Sequence, residues 1–211
     1  MEFDIIFTIY MDIEITELKK ADYKKAREYA IKGMHLNWFS DNQMVTKIYG
    51  SYFWHSELNR ATDIIAAYDN GQLLGVLLAD VDGKKKARYS RCKAVILSIA
   101  KYLEQKFAAD VDYDNANKDM LDMCRKTKHL DGEILFLAAN PDIQGKGIGT
   151  ALLEELERRE KGKNLYLYTD DGCNYKFYEK RGFTREGERD VEYNDVESPF
   201  VLKCFLYSKS L

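Results

Sequence analysis

The chain has 211 residues, 45% of them apolar and 32% charged. At about 100–200 residues per domain, this length predicts one domain, or one domain with an insertion, and the apolar share excludes a disordered chain. With 32 Lys and Arg against 35 Asp and Glu, the net charge is −3. No global field draws such a chain to nucleic acid or to an anionic membrane, so any anion site is local.

The first residues, MEFDIIFTIY, lack a basic n-region, and their apolar run breaks at Asp12. A bilayer crossing needs about 20 apolar residues, and no segment reaches that length. The expectation is a soluble, cytoplasmic protein. Cys92, Cys124, Cys173 and Cys204 stand far apart with no C-x-x-C pair, which predicts reduced thiols and no zinc site. His35, His55 and His129 lack metalloprotease spacing, and no G-x-S-x-G occurs. No metal is expected.

In chain order, residues 3–15 read as a strand. Residues 19–35 carry Ala21, Ala26, Tyr29 and Ala30 at mostly helical spacing, and a second helix fits 42–58, crowded with Tyr49, Tyr52, Phe53 and Trp54. Residues 61–79 read as two strands joined at Asp69-Asn70-Gly71, a strong hairpin signal. Residues 80–131 change character and read as a helical insertion. It opens with the basic run Lys84, Lys85, Lys86, Arg88, Arg91 and Lys93, whose bland reading is a solvated helix start and whose functional reading is an acidic partner. An amphipathic helix follows with Ile96, Ile99, Leu103 and Phe107 on one face, then the polar stretch DVDYDNANKD and a short helix over 120–126. About 50 residues bury too little core to stand as a second domain.

Residues 133–139 (EILFLAA) form a continuous apolar run, which predicts a strand buried on both faces. A loop over 140–145 leads into a helix from about 147 to 161 that buries Leu152, Leu153 and Leu156. Residues 164–170 are a further strand, 171–181 a short helix stopped by Gly182, and the chain closes as a hairpin. The fold class is therefore α/β, a mixed sheet of six to seven mostly antiparallel strands flanked by helices, with the insertion between the third and fourth strands.

The residues that carry chemistry lie in Gln144-Gly145-Lys146-Gly147-Ile148-Gly149, between a strand and an amphipathic helix. Glycines there allow close backbone approach, and the helix N-terminus adds unpaired N–H groups and partial positive charge, a site for phosphate. A P-loop fails, because Lys146 is followed by Gly and no glycine stands five residues before it. A dinucleotide fold is approached by Gly145-x-Gly147-x-x-Thr150 with Asp170 after the next strand. Thr150 replaces the third glycine, however, and too little chain remains for a doubly wound sheet.

The pattern Gln-x-x-Gly-x-Gly after a strand and Pro141 resembles motif A of the GNAT superfamily of N-acetyltransferases. Phe177-Tyr178-Glu179-Lys180-Arg181-Gly182-Phe183 resembles that family's F-Y-x-x-x-G-F segment. The likeness is strong over 133–183 and weaker elsewhere, and the insertion has no counterpart in a minimal member. It implies one catalytic domain over residues 1–211 that uses acetyl-CoA. Gln144, Gly145, Lys146, Gly147, Ile148, Gly149 and Thr150 would hold the pyrophosphate. Leu137, Ala138 and Ala139 would hold the pantetheine and offer a backbone N–H to the oxyanion. Asn174 and Phe177 would flank the cofactor, and Tyr178 would protonate the departing thiolate. Glu133 is the base by the same analogy, with a solvated strand end as the bland reading. Two departures stand out: Asp171 occupies the place of a cofactor-contacting Asn, and Ala139 that of a bulkier aliphatic. Trp38 and Phe39 lie where acceptors often bind, though core packing suits them better.

The function implied is transfer of an acetyl group from acetyl-CoA to a primary amine by direct attack in a ternary complex. The alternative is a non-catalytic acyl-CoA-binding or interaction module on the same fold. The expected partner is a small-molecule or peptide amine, with neither nucleic acid nor membrane, and a homodimer stays open.

Overall fold

The computed structural model describes residues 12–33, 42–87, 110–143, 145–194 and 198–211. Several sequence expectations lie outside the described residues: the strand before Asp12, Trp38, Phe39, Gln144, Cys92, the basic residues Arg88, Arg91 and Lys93, and the helix carrying Ile96 to Phe107.

Seven strands form one sheet: β1 (Glu14–Thr16), β2 (Asp63–Asp69), β3 (Gln72–Val81), β4 (Gly132–Ala139), β5 (Asn164–Asp170), β6 (Thr184–Tyr193) and β7 (Phe200–Ser210). Their order is β1-β2-β3-β4-β5-β7-β6, and among the described residues only the β4–β5 pair is parallel. The expected mixed, mostly antiparallel sheet is what forms, with α-helices at α1 (Tyr23–Gly33), α2 (Gln43–Arg60), α3 (Asp110–Arg125), α4 (Ile148–Arg159) and α5 (Lys176–Glu179). No described helix is long and apolar enough to cross a membrane.

The β2–β3 hairpin turns where the sequence places it, with Asn70 at φ 48° and Gly71 at φ 75°. One face of the sheet buries Ile65, Leu77 and Leu165 against Leu152, Leu153 and Leu156 of α4. On the other face α1 and α2 cover β2–β4, with Trp54 edge-on to Phe136 at 6.1 Å. There α3 covers β5–β7 through Met120, Leu121 and Cys124. Tyr68 ties the entry of α1 to the sheet: its hydroxyl donates to Asp22 Oδ2 at 2.9 Å and accepts from the Lys19 N–H at 3.0 Å.

Two expectations change. The polar stretch before Met120 is helical, so α3 begins at residue 110. Tyr113, Ala116, Asn117, Met120, Leu121 and Cys124 recur every three or four residues and face the sheet, while Asp112 suits the positive end of the helix. The start of the basic run is not freely solvated. Lys84 Nζ donates to Asp63 Oδ2 at 2.8 Å and Glu160 Oε1 at 2.5 Å, and Lys86 pairs with Asp80 at 2.5 Å. Asp63 and Glu160 side chains are each 6% exposed, so Lys84 balances two buried carboxylates and pins the end of α4 to β2. Removing one partner of a buried pair strands the other charges. Lys84→Met should therefore destabilise the fold by about 2 kcal/mol in urea titrations, discounted for the partly exposed lysine. Lys85→Gln, at an exposed position, should stay within about 0.5 kcal/mol.

Candidate active site

The site begins where β4 and β5 stop pairing. These strands share Gly132↔Leu165 and Glu133↔Tyr166, and no later pair. β4 goes on to Ala139 bonded along one edge to β3, through Leu77↔Leu137, Val76↔Ala138 and Gly75↔Ala139. β5 goes on to Asp170 bonded to β7. A wedge opens between the two facing edges. As expected, β4 packs on both faces, Ile134, Leu137 and Ala139 in the cluster with α4 and Phe136 and Ala138 in the cluster with α1 and α2, but Leu137 and Ala139 are only half-buried. The register slips where Leu78 faces Phe136 and Ala79 faces Ile134, leaving Leu135 as a bulge that bends the strand at the wedge.

At the end of β4 a 3₁₀ turn over Pro141–Ile143 leads to the glycines. Gly145 (φ 77°) and Gly147 (φ 80°) adopt left-handed backbone, and a Cβ on either would meet nothing within 4 Å. Gly147 is the N-cap of α4 and makes no side-chain cap bond, so the first-turn amides are left to a ligand. Gly145, Lys146 and Gly147 are exposed, Ile148 is buried, and Gly149 and Thr150 are half-buried. An anionic group such as a pyrophosphate fits this open, amide-lined turn.

α5 closes over α4. A Cβ on Gly149 would stand 2.9 Å from Cζ of Phe177, so the glycine admits this ring. The Arg181 guanidinium stacks on the Phe177 ring at 3.7 Å and donates to Thr150 Oγ1, locking α5 to the first turn of α4. Tyr178 sits edge-on to Phe177 and Phe183, with ring centroids 5.2 and 5.6 Å apart. Burial first, and then the neighbouring Cys173, push its phenol well above the ordinary range. Asn174 is exposed, while Asp171 Oδ1 accepts the Lys203 N–H at 3.1 Å and so serves the strand edge of β7.

Glu133 is not a solvated strand end. Its Oε2 accepts from Arg60 Nη2 at 2.5 Å and from the Tyr166 hydroxyl at 3.2 Å. Arg60 also donates to Glu57 Oε2 at 3.0 Å, deep in the last turn of α2. Sequence reasoning missed Glu57 and Arg60. Only their i,i+3 spacing was visible, and that is common on any helix surface. A separate cavity of about 440 Å³ lies at the far end of the sheet, between Lys128, His129 and Lys209. These three already pair with Glu186, Asp131 and Glu157, so it does not compete as the site.

The acetyltransferase (GNAT) family matches residues 28–183 of this chain. No curated protein matches it by sequence. Among solved structures, an agmatine N-acetyltransferase in its apo form is similar at 12% identity and a TM-score of 0.64, covering 95% of this chain and 100% of its own. The polyamine N-acetyltransferase of Drosophila melanogaster, described as forming N-acetylagmatine, is similar at 13% identity and 0.61, covering 95% and 100%. The PaiA N-acetyltransferase of Thermoplasma acidophilum, in complex with coenzyme A, is similar at 17% identity and 0.52, again covering 95% and 100%. At these identities the likeness shows the fold.

Glu57 offers a direct test of the cluster behind β4. Burial raises its carboxyl from 4.5 to about 7, against the lowering pull of Arg60. Between those two values the folded protein binds more protons than the unfolded one, so the contribution of Glu57 to stability falls as pH rises through this window. Glu57→Gln should be more stable than the parent at pH 8 by about 2–3 kcal/mol. The two should converge near pH 4, as read by urea unfolding at each pH.

Proposed function

The chain belongs to the acetyltransferase (GNAT) family, and on that footing we propose that it is an N-acetyltransferase moving the acetyl group of acetyl-CoA directly to the primary amine of a small molecule, within a ternary complex. The observation that carries this reading is the wedge between β4 and β5, which opens beside an unfilled, amide-lined glycine turn. The similar folds of an agmatine and a polyamine N-acetyltransferase, and of an acetyltransferase holding coenzyme A, support it.

In this proposal Gly145, Gly147 and Gly149, with Gln144, Lys146, Ile148 and Thr150, cradle the pyrophosphate on the N-terminus of α4. The free edge of Leu137, Ala138 and Ala139 takes the pantetheine arm and offers N–H to the oxygen that gains charge. Asn174 and Phe177 flank it. Bound acetyl-CoA supplies the acetyl group as an activated thioester. Tyr178 gives its proton to the departing sulfur. A phenol pushed up by burial stays protonated across the physiological range. Transfer to a thiolate of pKa ~8.5 is uphill in isolation, and the cost of leaving that anion in a desolvated wedge offsets this. Glu133, paired with Arg60 and oriented by Tyr166, accepts the proton of the amine through water. The free thiols of Cys124, Cys173 and Cys204 suit a cytoplasmic setting.

Saturating CoA, at 100 times its Kd, should stabilise the protein by about 2.7 kcal/mol in a thermal melt, and NAD should not. Gly147→Asp should fold and lose this response. Its carboxylate would occupy the helix N-cap, accept the free amides and repel the pyrophosphate. A melt of the parent unmoved by millimolar CoA would remove the cofactor assignment.

Tyr178→Phe keeps the ring packing and removes one hydroxyl. kcat should fall by ~10²–10⁴ with CoA affinity and Tm little changed, measured by thiol release with an amine panel. Full activity in this variant would take Tyr178 out of the mechanism. A parent that binds CoA and acetylates no amine would favour the non-catalytic module.

A further inference from the structure

At the apex of the wedge, two carboxylates share one guanidinium. Glu133 and Tyr166 form the last pair before β4 and β5 part. Ile134 packs toward α4, so Glu133 turns to the opposite face, beneath the end of α2. There Arg60 Nη2 and the Tyr166 hydroxyl, at 2.5 and 3.2 Å, donate to the same oxygen, Oε2. Arg60 Nη1 donates to Glu57 Oε2 at 3.0 Å, so the fork spans α2 and β4. The backbone beside Arg60 is held as firmly. The Ala61 N–H closes α2 on Glu57 O at 2.9 Å, and the Thr62 N–H donates to Ala79 O at 2.8 Å. Ala79 precedes Asp80, the residue that faces Glu133 across the β3–β4 ladder. Asp80 has its own cation in Lys86, at 2.5 Å, which leaves Arg60 to the other two carboxylates.

Glu57 is 8% exposed, and a carboxylate so placed costs the fold desolvation. What it provides is a fixed acceptor one turn back on the helix that carries Arg60. With Nη1 held there, the planar guanidinium presents Nη2 to β4 in one orientation. We propose that Arg60, aimed by Glu57, is a positioning residue for Glu133, holding this base at the apex of the wedge with Oε2 engaged and Oε1 left to take up the amine's proton from water. This rests on the N-acetyltransferase reading and deepens it. A general base works only within hydrogen-bond reach of its proton, and small misplacements cost large factors in rate. Arg60 fixes the carboxylate from the α2 side and Tyr166 fixes it from β5, so the base is held to both halves of the parted sheet.

The test is steady-state kinetics of the full chain, read by thiol release, with agmatine, 1,4-diaminobutane and 2-phenylethylamine as acceptors. Arg60→Met should lower kcat by ~10²-fold, with KM for the amine and affinity for CoA unchanged. Glu133→Gln should lose at least as much. Adding Arg60→Met to Glu133→Gln should cost nothing further, because a positioning residue acts only through the group it positions. Glu57→Leu removes a buried charge together with the acceptor for Nη1. It should fold and lower kcat by ~10-fold, and Glu57→Gln, which keeps an acceptor, should recover most of that loss. Calorimetric CoA titration and Tm report the folding of each variant. If Arg60→Met does not fold, Glu57→Leu in the parent and in Glu133→Gln decides by the same comparison. Parent kcat in the folded Arg60 variant, losses that multiply in the double variant, or a loss confined to KM would each overturn the role of Arg60 while acetyl transfer stands. A parent that binds CoA and acetylates none of these amines would overturn the acetyl-transfer reading, and this role with it.

Discussion

The two halves of the sheet are joined by very little. β1–β4 and β5–β7 meet at two residue pairs, Gly132↔Leu165 and Glu133↔Tyr166. Asp131 extends this joint by side chain and backbone. Its N–H donates to Asn164 O at 2.7 Å, its Oδ2 accepts the Asn164 N–H at 2.8 Å, and its carbonyl accepts the Asp82 N–H at 2.8 Å. Gly132 permits the joint, because a Cβ there would stand 2.3 Å from Asp80 O and 2.8 Å from the Cα of Val81. Every later feature of the site follows from strands that pair firmly at this point and then part. A central sheet normally satisfies its own backbone. Here the facing edges of β4 and β5 are left for another molecule.

Close approaches at two further glycines set the helices around the opening. Gly75 lets Ile148 of α4 press onto β3, with a Cβ position only 2.8 Å from Ile148 Cγ2, so the glycine turn before α4 is held at the mouth of the wedge. Gly149 admits Phe177, and Arg181 clamps that ring to Thr150. Tyr178, the next residue, is thereby fixed relative to the glycine turn before α4. The glycine turn and the phenol thus share one packed unit, while α1, α2 and α3 cover the opposite face. Catalytic geometry depends on supports of this kind, since small misplacements cost large factors in rate.

Charges are buried where they define relative positions. Lys84 joins β2 to the end of α4 through Asp63 and Glu160. Arg60 joins α2 to β4 through Glu57 and Glu133. Such groups cost desolvation, and a well-packed apolar replacement is often as stable. Their effect in this fold is to tie α4 to β2 and α2 to β4. Asp170 differs from both sets: among the described residues no cation pairs with it, and it takes hydrogen bonds from Cys173 and Gly172 instead.

Much of this was legible in the sequence, and the legible parts share a cause. The Asn70-Gly71 hairpin, the turn at Gly145 and Gly147 and the stop at Gly182 all require left-handed backbone that few residues besides glycine and asparagine adopt, so composition at one position declares them. The buried faces of α1 and α4 follow from helical spacing among neighbours. The start of α3 was hidden because its aspartates resemble a loop until the spacing from Tyr113 to Cys124 is set against a sheet. Other features had no local trace at all. β7 lies between β5 and β6, Glu133 meets Arg60 across 73 residues, and Lys84 meets Glu160 across 76. The sequence by itself determined turns, periodic faces and the glycine turn that opens α4, because those depend on backbone preference and nearest neighbours. Only the tertiary structure decided where the sheet parts and which carboxylates meet which cations, because those depend on strands and helices brought together from distant parts of the chain.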